Sequence, residues 1–327
     1  MSVLIRVPGA VLGWIGRQGT RAMAALVVIG ICVPWLGALL RPFVAEAVFI
    51  LLCISFLRVD AVALRGYARR PGLVIAATAW TSLAVPLLVA GGCHATGLDT
   101  RSPDLYLAVM LQAIASPMMA APAFAALMGL DATLVLATLV TSTALIPLTA
   151  AAFAAFFLGP TLEVASVSLG LKLTAMLVGS AALGFAIRRV VGIAAIQRQR
   201  ERIDGFNVLV LLVFVAGLMQ NVAERFLAGP LFALGVAALV FLMFFVVLAV
   251  TTLLFLFAGR ERAIALGFMA SQRNTGLMIA AVGGVLPEVT WLFMGLAQLP
   301  IYVSPQVLGP VVRRFAPGRA TARAPVP

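Results

Sequence analysis

Charge is what this chain has least of. Of its 327 residues, 10% are Asp, Glu, Lys or Arg and 63% are hydrophobic. Mean hydropathy is +1.13. A soluble domain does not carry that much apolar surface, so the composition excludes one and leaves a polytopic membrane protein. Lysine is almost missing. Lys172 is the single example, and arginine supplies the rest of the positive charge, a bias that suggests a GC-rich bacterial genome. Histidine is represented once, by His94. No Ser/His, His/carboxylate or metal-ligand constellation falls at membrane depth, which ranks an intramembrane enzyme last. The three cysteines, Cys32, Cys53 and Cys93, have no metal-ligand spacing. Cys32 and Cys53 lie in apolar runs and read as small hydrophobes; Cys93 lies near a loop. No metal or cofactor is expected.

What the chain does have is apolar length. A spanning helix needs roughly 20 largely apolar residues, and there is room for about ten. The expected spans are 22–40, 42–57, 72–92, 106–128, 132–158, 166–187, 206–221, 229–258, 263–285 and 288–311. The first two are divided only by Arg41-Pro42. Residues 1–21 read as a basic interfacial segment with Trp14 near the headgroups, or as a short disordered tail. Residues 312–327 form a basic tail. The net charge of +12 raises nucleic acid as a partner, but its placement argues for a bilayer instead. Arg6, Arg17, Arg21, Arg58, Arg65, Arg69, Arg70, Arg188, Arg189, Arg198, Arg200, Arg202, Arg260, Arg262, Arg313, Arg314, Arg319 and Arg323 share one side of the expected topology. Arg41, Arg101 and Arg225 take the other. That bias places both termini in the cytoplasm of a multi-pass inner-membrane protein. Residues 159–165 then link two five-span halves, 22–158 and 166–311, of opposite orientation, as in an inverted repeat.

Two spans contain breakers at corresponding places. The fourth carries Pro117 and Pro122, and an interior proline removes a helical hydrogen bond and clashes with the preceding turn. The ninth runs "SQRNTGLMIAAVGG" and places Arg273, Asn274, Thr275 and Gly276 inside an apolar stretch. Each ends in Gly, an acid and Thr: Gly129, Asp131 and Thr133 against Gly284, Glu288 and Thr290. Irregular backbone at membrane depth persists only where protein or a cavity satisfies it. An intramembrane charge marks a functional site by default.

The chain here resembles the bile acid:sodium symporter family and its arsenite-exporter relatives. The likeness runs over nearly the whole length and is strongest over 112–147 and 261–312. Arg273-Asn274-Thr275-Gly276-Leu277 is similar to the family's ninth-span Gln-Asn-Ser-Gly-Leu run. Pro117 to Ala123 takes the place of its fourth-span Pro-Gly-Gly-x-x-Ser-Asn run. The resemblance implies ten spans as two inverted five-helix repeats, with the fourth and ninth discontinuous and crossing. The departures bear on coupling. The carboxylate of sodium-coupled members falls on Met269, their Gln on Arg273, and their Ser-Asn pair on Pro122 and Ala123. Hard cations need oxygen ligands, so the family's usual sodium sites are not expected. The arsenite exporters' cysteine near the fourth-span break has no counterpart.

The expected site follows. Arg273 is preferred as an anion anchor because its planar fork suits carboxylates; the rivals are a structural pair with a buried acid, or snorkelling. Gln112, Ser116, Ser271, Gln272, Asn274 and Thr275 either bind substrate or satisfy freed backbone groups. Pro117, Pro122 and Gly276 are the expected helix breaks. Glu46 is a candidate proton relay or partner of Arg273, unless it sits at the outer interface. Asp131 and Glu288 are expected at helix starts. His94 is expected on an outside loop, and Gly283-Gly284 at a close packing contact. Thr138, Thr141 and Ser142 are expected to bond back to their own helix. The expected function is a secondary transporter of a small organic anion, with proton coupling, exchange or uniport favoured over sodium. The rival is a non-transporting receptor or sensor on a transporter scaffold.

Overall fold

The computed structural model describes residues 2–18, 32–58, 71–159, 164–283 and 286–315, and isolated positions 25, 29, 30 and 162. Among these residues the regular structure is helical, and the sole β-pairing is one antiparallel bridge between Pro117 and Arg273. Six helices among them are long and apolar enough to cross a membrane: Pro34–Leu57, Pro71–Thr96, Ala132–Leu158, Ser166–Val191, Arg200–Ala228 and Pro230–Leu254. Their length and composition mark a multi-pass, all-α membrane protein.

The chain forms two compact units. One contains Met1–Val59, Leu171–Val236 and Gly276–Tyr302; the other contains Asp60–Gly170, Ala237–Thr275 and Val303–Pro327. Each draws on both halves of the sequence.

In the first unit, α1 (Ser2–Gln18), α2 (Pro34–Leu40) and α3 (Val44–Leu57) precede the long helices. A single 3-10 turn, Arg41–Phe43, separates α2 from α3 at the expected Arg41-Pro42 division. Most of the expected 22–33 stretch lies outside the described residues. Pro34 begins α2 in its first turn, where its missing N–H costs nothing.

The second unit holds α4 (Pro71–Ala79), α5 (Val85–Thr96), α6 (Pro103–Ile114), α7 (Ala121–Leu127) and α8 (Ala132–Phe153). A π-helical turn, Trp80–Ala84, joins α4 to α5. His94 is not on a loop. α5 continues through it and stops at Gly97, whose φ of 68° is a helix-ending conformation natural to glycine. His94 Nδ1 lies 2.7 Å from Asp99 Oδ2. α9 (Ser166–Val191) and α10 (Arg200–Ala228) return to the first unit.

α10 is the spine of that first unit. A Cβ on Gly37 would stand 2.6 Å from Ala216 O, and one on Gly217 would stand 3.1 Å from Arg41 Cα. Small residues here let backbones approach closely, which is how helices associate where lipid removes the hydrophobic drive. One end of α10 carries Arg58–Asp204 at 2.7 Å and Arg17–Glu201 at 2.8 Å. Toward the other end Arg225 pairs with Glu288, the first residue of α14 (defined below).

The chain then runs through α11 (Pro230–Leu254), α12 (Arg260–Ser271), α13 (Thr275–Val282), α14 (Glu288–Leu296) and α15 (Gln298–Phe315). Side-chain hydrogen bonds tie the second unit. Thr78 and Thr141 hydroxyls are 2.6 Å apart, and Trp80 Nε1 donates to Thr251 Oγ1 at 2.8 Å. Thr141 also bonds back to Ala137 O and Thr138 O, as expected. Thr138 and Ser142 do not: their buried hydroxyls have no hydrogen-bond partner among the described residues.

α12 lies flush on α11 at Gly267, where a Cβ would stand 2.6 Å from Leu248 O. Gly267→Val is therefore expected to cost about 1–3 kcal/mol through overpacking. Gly235→Ala, with nothing within 4 Å of the new Cβ, is the control. Thermal unfolding of both in detergent checks this, and equal melting temperatures would contradict the packing.

Candidate functional site

The site is built where two helices stop. α6 ends at Ile114, and Ala115 turns extended with φ −62° and ψ 149°. Pro117 enforces the stop, since it lacks an N–H and biases the preceding residue away from helix. Helix resumes only at Ala121. α12 ends at Ser271, Gln272 is extended with φ −89° and ψ 98°, and α13 starts at Thr275.

The two interruptions satisfy one another. Met118 N donates to Gln272 O at 2.8 Å, and Asn274 N donates to Ser116 O at 2.8 Å. These bonds flank Pro117 and Arg273, which face each other as a non-hydrogen-bonded pair. Proline is harmless there because the ladder asks no N–H of that position.

Two expected breakers are corrected. Pro122 does not interrupt a helix. It lies in the first turn of α7, where proline is preorganised for helix and its N–H is not needed. Gly276 is likewise inside α13. A Cβ there would meet Phe214 Cε2 at 2.8 Å and Val48 Cγ2 at 3.2 Å, so it serves close packing.

Gly283 was expected at a close contact, yet nothing lies within 4 Å of its would-be Cβ. With φ 88° and its N–H on Ile279 O at 2.9 Å, it terminates α13 as a left-handed cap. Gly129 plays the same part after α7. Its φ is 78°, Leu130 N reaches Ala125 O at 2.9 Å and Gly129 N reaches Ala126 O at 3.1 Å. Gly129 thus corresponds to Gly283; Gly284 lies outside the described residues.

Arg273 is 4% exposed. Its Nη1 donates to Ala115 O at 2.9 Å and Thr81 O at 3.2 Å. Both carbonyls lack a helical donor. Ala115 is past the end of α6. At Thr81 the π-turn sends Val85 N to Trp80 O, and the next residue, Pro86, has no N–H. Thr81 was not among the expected site residues. Pro86, inside an expected span, was the available signal.

Arg273 Nη2 is buried and has no hydrogen-bond partner among the described residues. No ion pair to Arg273 occurs among them either. Thr81 Oγ1, Gln112 Oε1, Ser116 Oγ and Gln272 Oε1 are further buried polar atoms with no hydrogen-bond partner among the described residues. Arg273, Gln112 and Ser271 edge a cavity walled by Val85, Met243 and Phe244. It leaves about 10 Å³ for the centre of a water molecule, close to the space one water needs.

The other expected residues take local roles. Ser271 Oγ donates to Phe268 O at 2.8 Å. Gln272 Nε2 donates to Ser304 Oγ at 2.8 Å, a partner sequence reasoning did not name. Thr275 is 1% exposed and its N–H donates to Arg273 O at 3.0 Å. Met269 is wholly buried and apolar. Asp131 caps α8 by accepting from Leu134 N at 3.0 Å, and lies 3.7 Å from Arg262. Glu46 is exposed in the first turn of α3, where a carboxylate suits the N-terminal dipole. No family model matches the chain, and no curated protein matches it in sequence.

Arg273→Met leaves each carbonyl unsatisfied, at a cost of about 1–3 kcal/mol each, offset in part by removal of the buried charge. Pro86→Ala restores an N–H near Thr81 and should recover part of that loss in the double variant. Thermal unfolding of the four proteins in detergent measures it. No recovery would mean that the Thr81 carbonyl is not what Arg273 holds.

Proposed function

We propose that the chain is a secondary transporter of a small organic anion, organised as in the bile acid:sodium symporter family it resembles. In this reading ten spans form two inverted five-helix repeats, and the interrupted helices are the fourth and ninth. Both termini face the cytoplasm of a bacterial cell. One observation carries it: a buried guanidinium has one nitrogen committed to carbonyls and the other, Nη2, without a partner or a counter-charge among the described residues. An anion is the ligand that relieves such a charge.

Ser271, Gln112 and Ser116 add hydroxyl and amide groups for the substrate's remaining oxygens. Gln272, Asn274 and Thr275 hold the interruption in place. Cycling then requires the cavity to open, by rocking of one helix bundle against the other. Met269, Arg273, Pro122 and Ala123 supply no side-chain oxygen at the family's cation positions, which supports proton coupling, exchange or uniport over sodium.

A receptor or sensor without transport is the second reading. It is favoured by the closure of the cavity to roughly the space of one water.

Anion-dependent thermal stabilisation, with and without sodium, is the first test, followed by flux in proteoliposomes. Wild-type protein should be stabilised by an organic anion without sodium. Arg273→Ala should lose flux by about tenfold or more, the worth of a charge-assisted hydrogen bond. Unchanged flux in a folded Arg273→Ala protein rejects the anchor. Binding without flux favours the receptor.

A further inference from the structure

A second cavity lies wholly within the first unit and takes no residue from the Arg273 site. Its volume is about 450 Å³, inside the roughly 300–1,000 Å³ range of small-ligand sites. Its polar lining is Arg41 from the 3-10 turn, Gln220 on α10 and Trp291 on α14. Ala38, Ile279 and Ala280 contribute apolar wall. Among the described lining residues Arg41 is the one ionisable side chain, and its positive charge suits an anion.

The polar groups are held ready. The Arg41 guanidinium lies 4.5 Å over the Trp291 ring, a cation–π contact that fixes both. Trp291 is 4% exposed, yet its Nε1 has no hydrogen-bond partner among the described residues. Gln220 Oε1 is buried and equally without one. A buried indole N–H ordinarily finds an acceptor, and leaving it unmade is costly. At Gly283 the wall is bare backbone, with free space where a side chain would stand.

The place in the unit is also defined. Arg41 Cα packs over Gly217, thirteen residues along α10 from Asp204, the partner of Arg58. At about 1.5 Å per residue that is roughly 20 Å from the arginine-rich end. The cavity is therefore toward the Arg225–Glu288 end of α10.

We infer that this cavity binds a compact organic oxyanion: a carboxylate or phosphate head on a short apolar body that carries a second polar group. The head lies beside Arg41 and accepts the Trp291 N–H. Gln220 pairs with the second polar group, and the body rests on Ala38, Ile279 and Ala280. A soluble anion and an anionic lipid headgroup present the same chemistry.

Titration calorimetry of the full chain in neutral detergent tests it with two probes, 3-hydroxybutanoate and short-chain dioctanoylphosphatidylglycerol. Each is titrated into wild type, Arg41→Gln, Ala280→Leu and Arg273→Ala. Arg41→Gln removes the charge. Ala280→Leu fills the cavity and leaves the Arg41 charge in place, and so serves if the first variant does not fold. The expected result is saturable binding of at least one probe that persists in Arg273→Ala. It should weaken about tenfold or more in Arg41→Gln and Ala280→Leu. The probe that binds identifies solute or lipid as the source. Absence of binding by either probe to folded wild type overturns the inference. So does binding that survives both cavity variants, and so does binding lost in Arg273→Ala alone, which would belong to the other site.

Discussion

Once water is excluded, every backbone donor and acceptor that a helix cannot satisfy for itself needs another partner inside the protein. That constraint organises the second unit. Interrupting one helix at 115–120 would leave orphaned groups at membrane depth; interrupting a second at 272–274 supplies what they lack. Neither gap is stable alone in hydrocarbon. Together they form the shortest of antiparallel ladders, and the left-handed glycines and the Asp131 cap finish the helix ends around it.

Arg273 extends the same logic to a side chain, and magnitudes decide what it can and cannot accomplish. Hydrogen bonds from a charged donor are worth about 1.5–3 kcal/mol each, so the bonds to Thr81 O and Ala115 O are a sound structural reason for an arginine. They do not neutralise it. Removing an ion from water costs several kcal/mol even after the protein relaxes, and carbonyl dipoles leave the net charge in place. The structural part of the side chain is Nη1; the unsatisfied part is Nη2. A site that is half scaffold and half vacant donor explains why both the packing reading and the ligand reading of this residue have force.

Much of this was legible in the sequence because its signals were local. Pro117 announced one interruption by its own chemistry, and Arg273 announced the other by its cost. Errors arose where two placements of one residue type look identical in sequence. Pro122 in a helix interior is a breaker, but in the first turn it is a starter, and only the position of Ala121 tells which. Gly276 and Gly283 are both glycines beside apolar residues, Leu277 and Val282. One permits a close approach by Phe214, and the other permits a positive φ. Thr138 and Ser142 had every local reason to bond to their own carbonyls, as Thr141 does, yet have no partners among the described residues. The Thr81 carbonyl was harder still, because it depends on a π-turn that shifts one hydrogen bond by a residue.

The pairing of Pro117 with Arg273 has one more consequence. In a non-hydrogen-bonded pair, the main-chain groups of both residues turn away from the partner strand. Any other amino acid at 117 would bring an N–H pointing out of the ladder, into a region from which water is excluded. Proline at this position is therefore the residue that adds no new debt to the interior: of the twenty, it alone can occupy this bridge without asking for an acceptor.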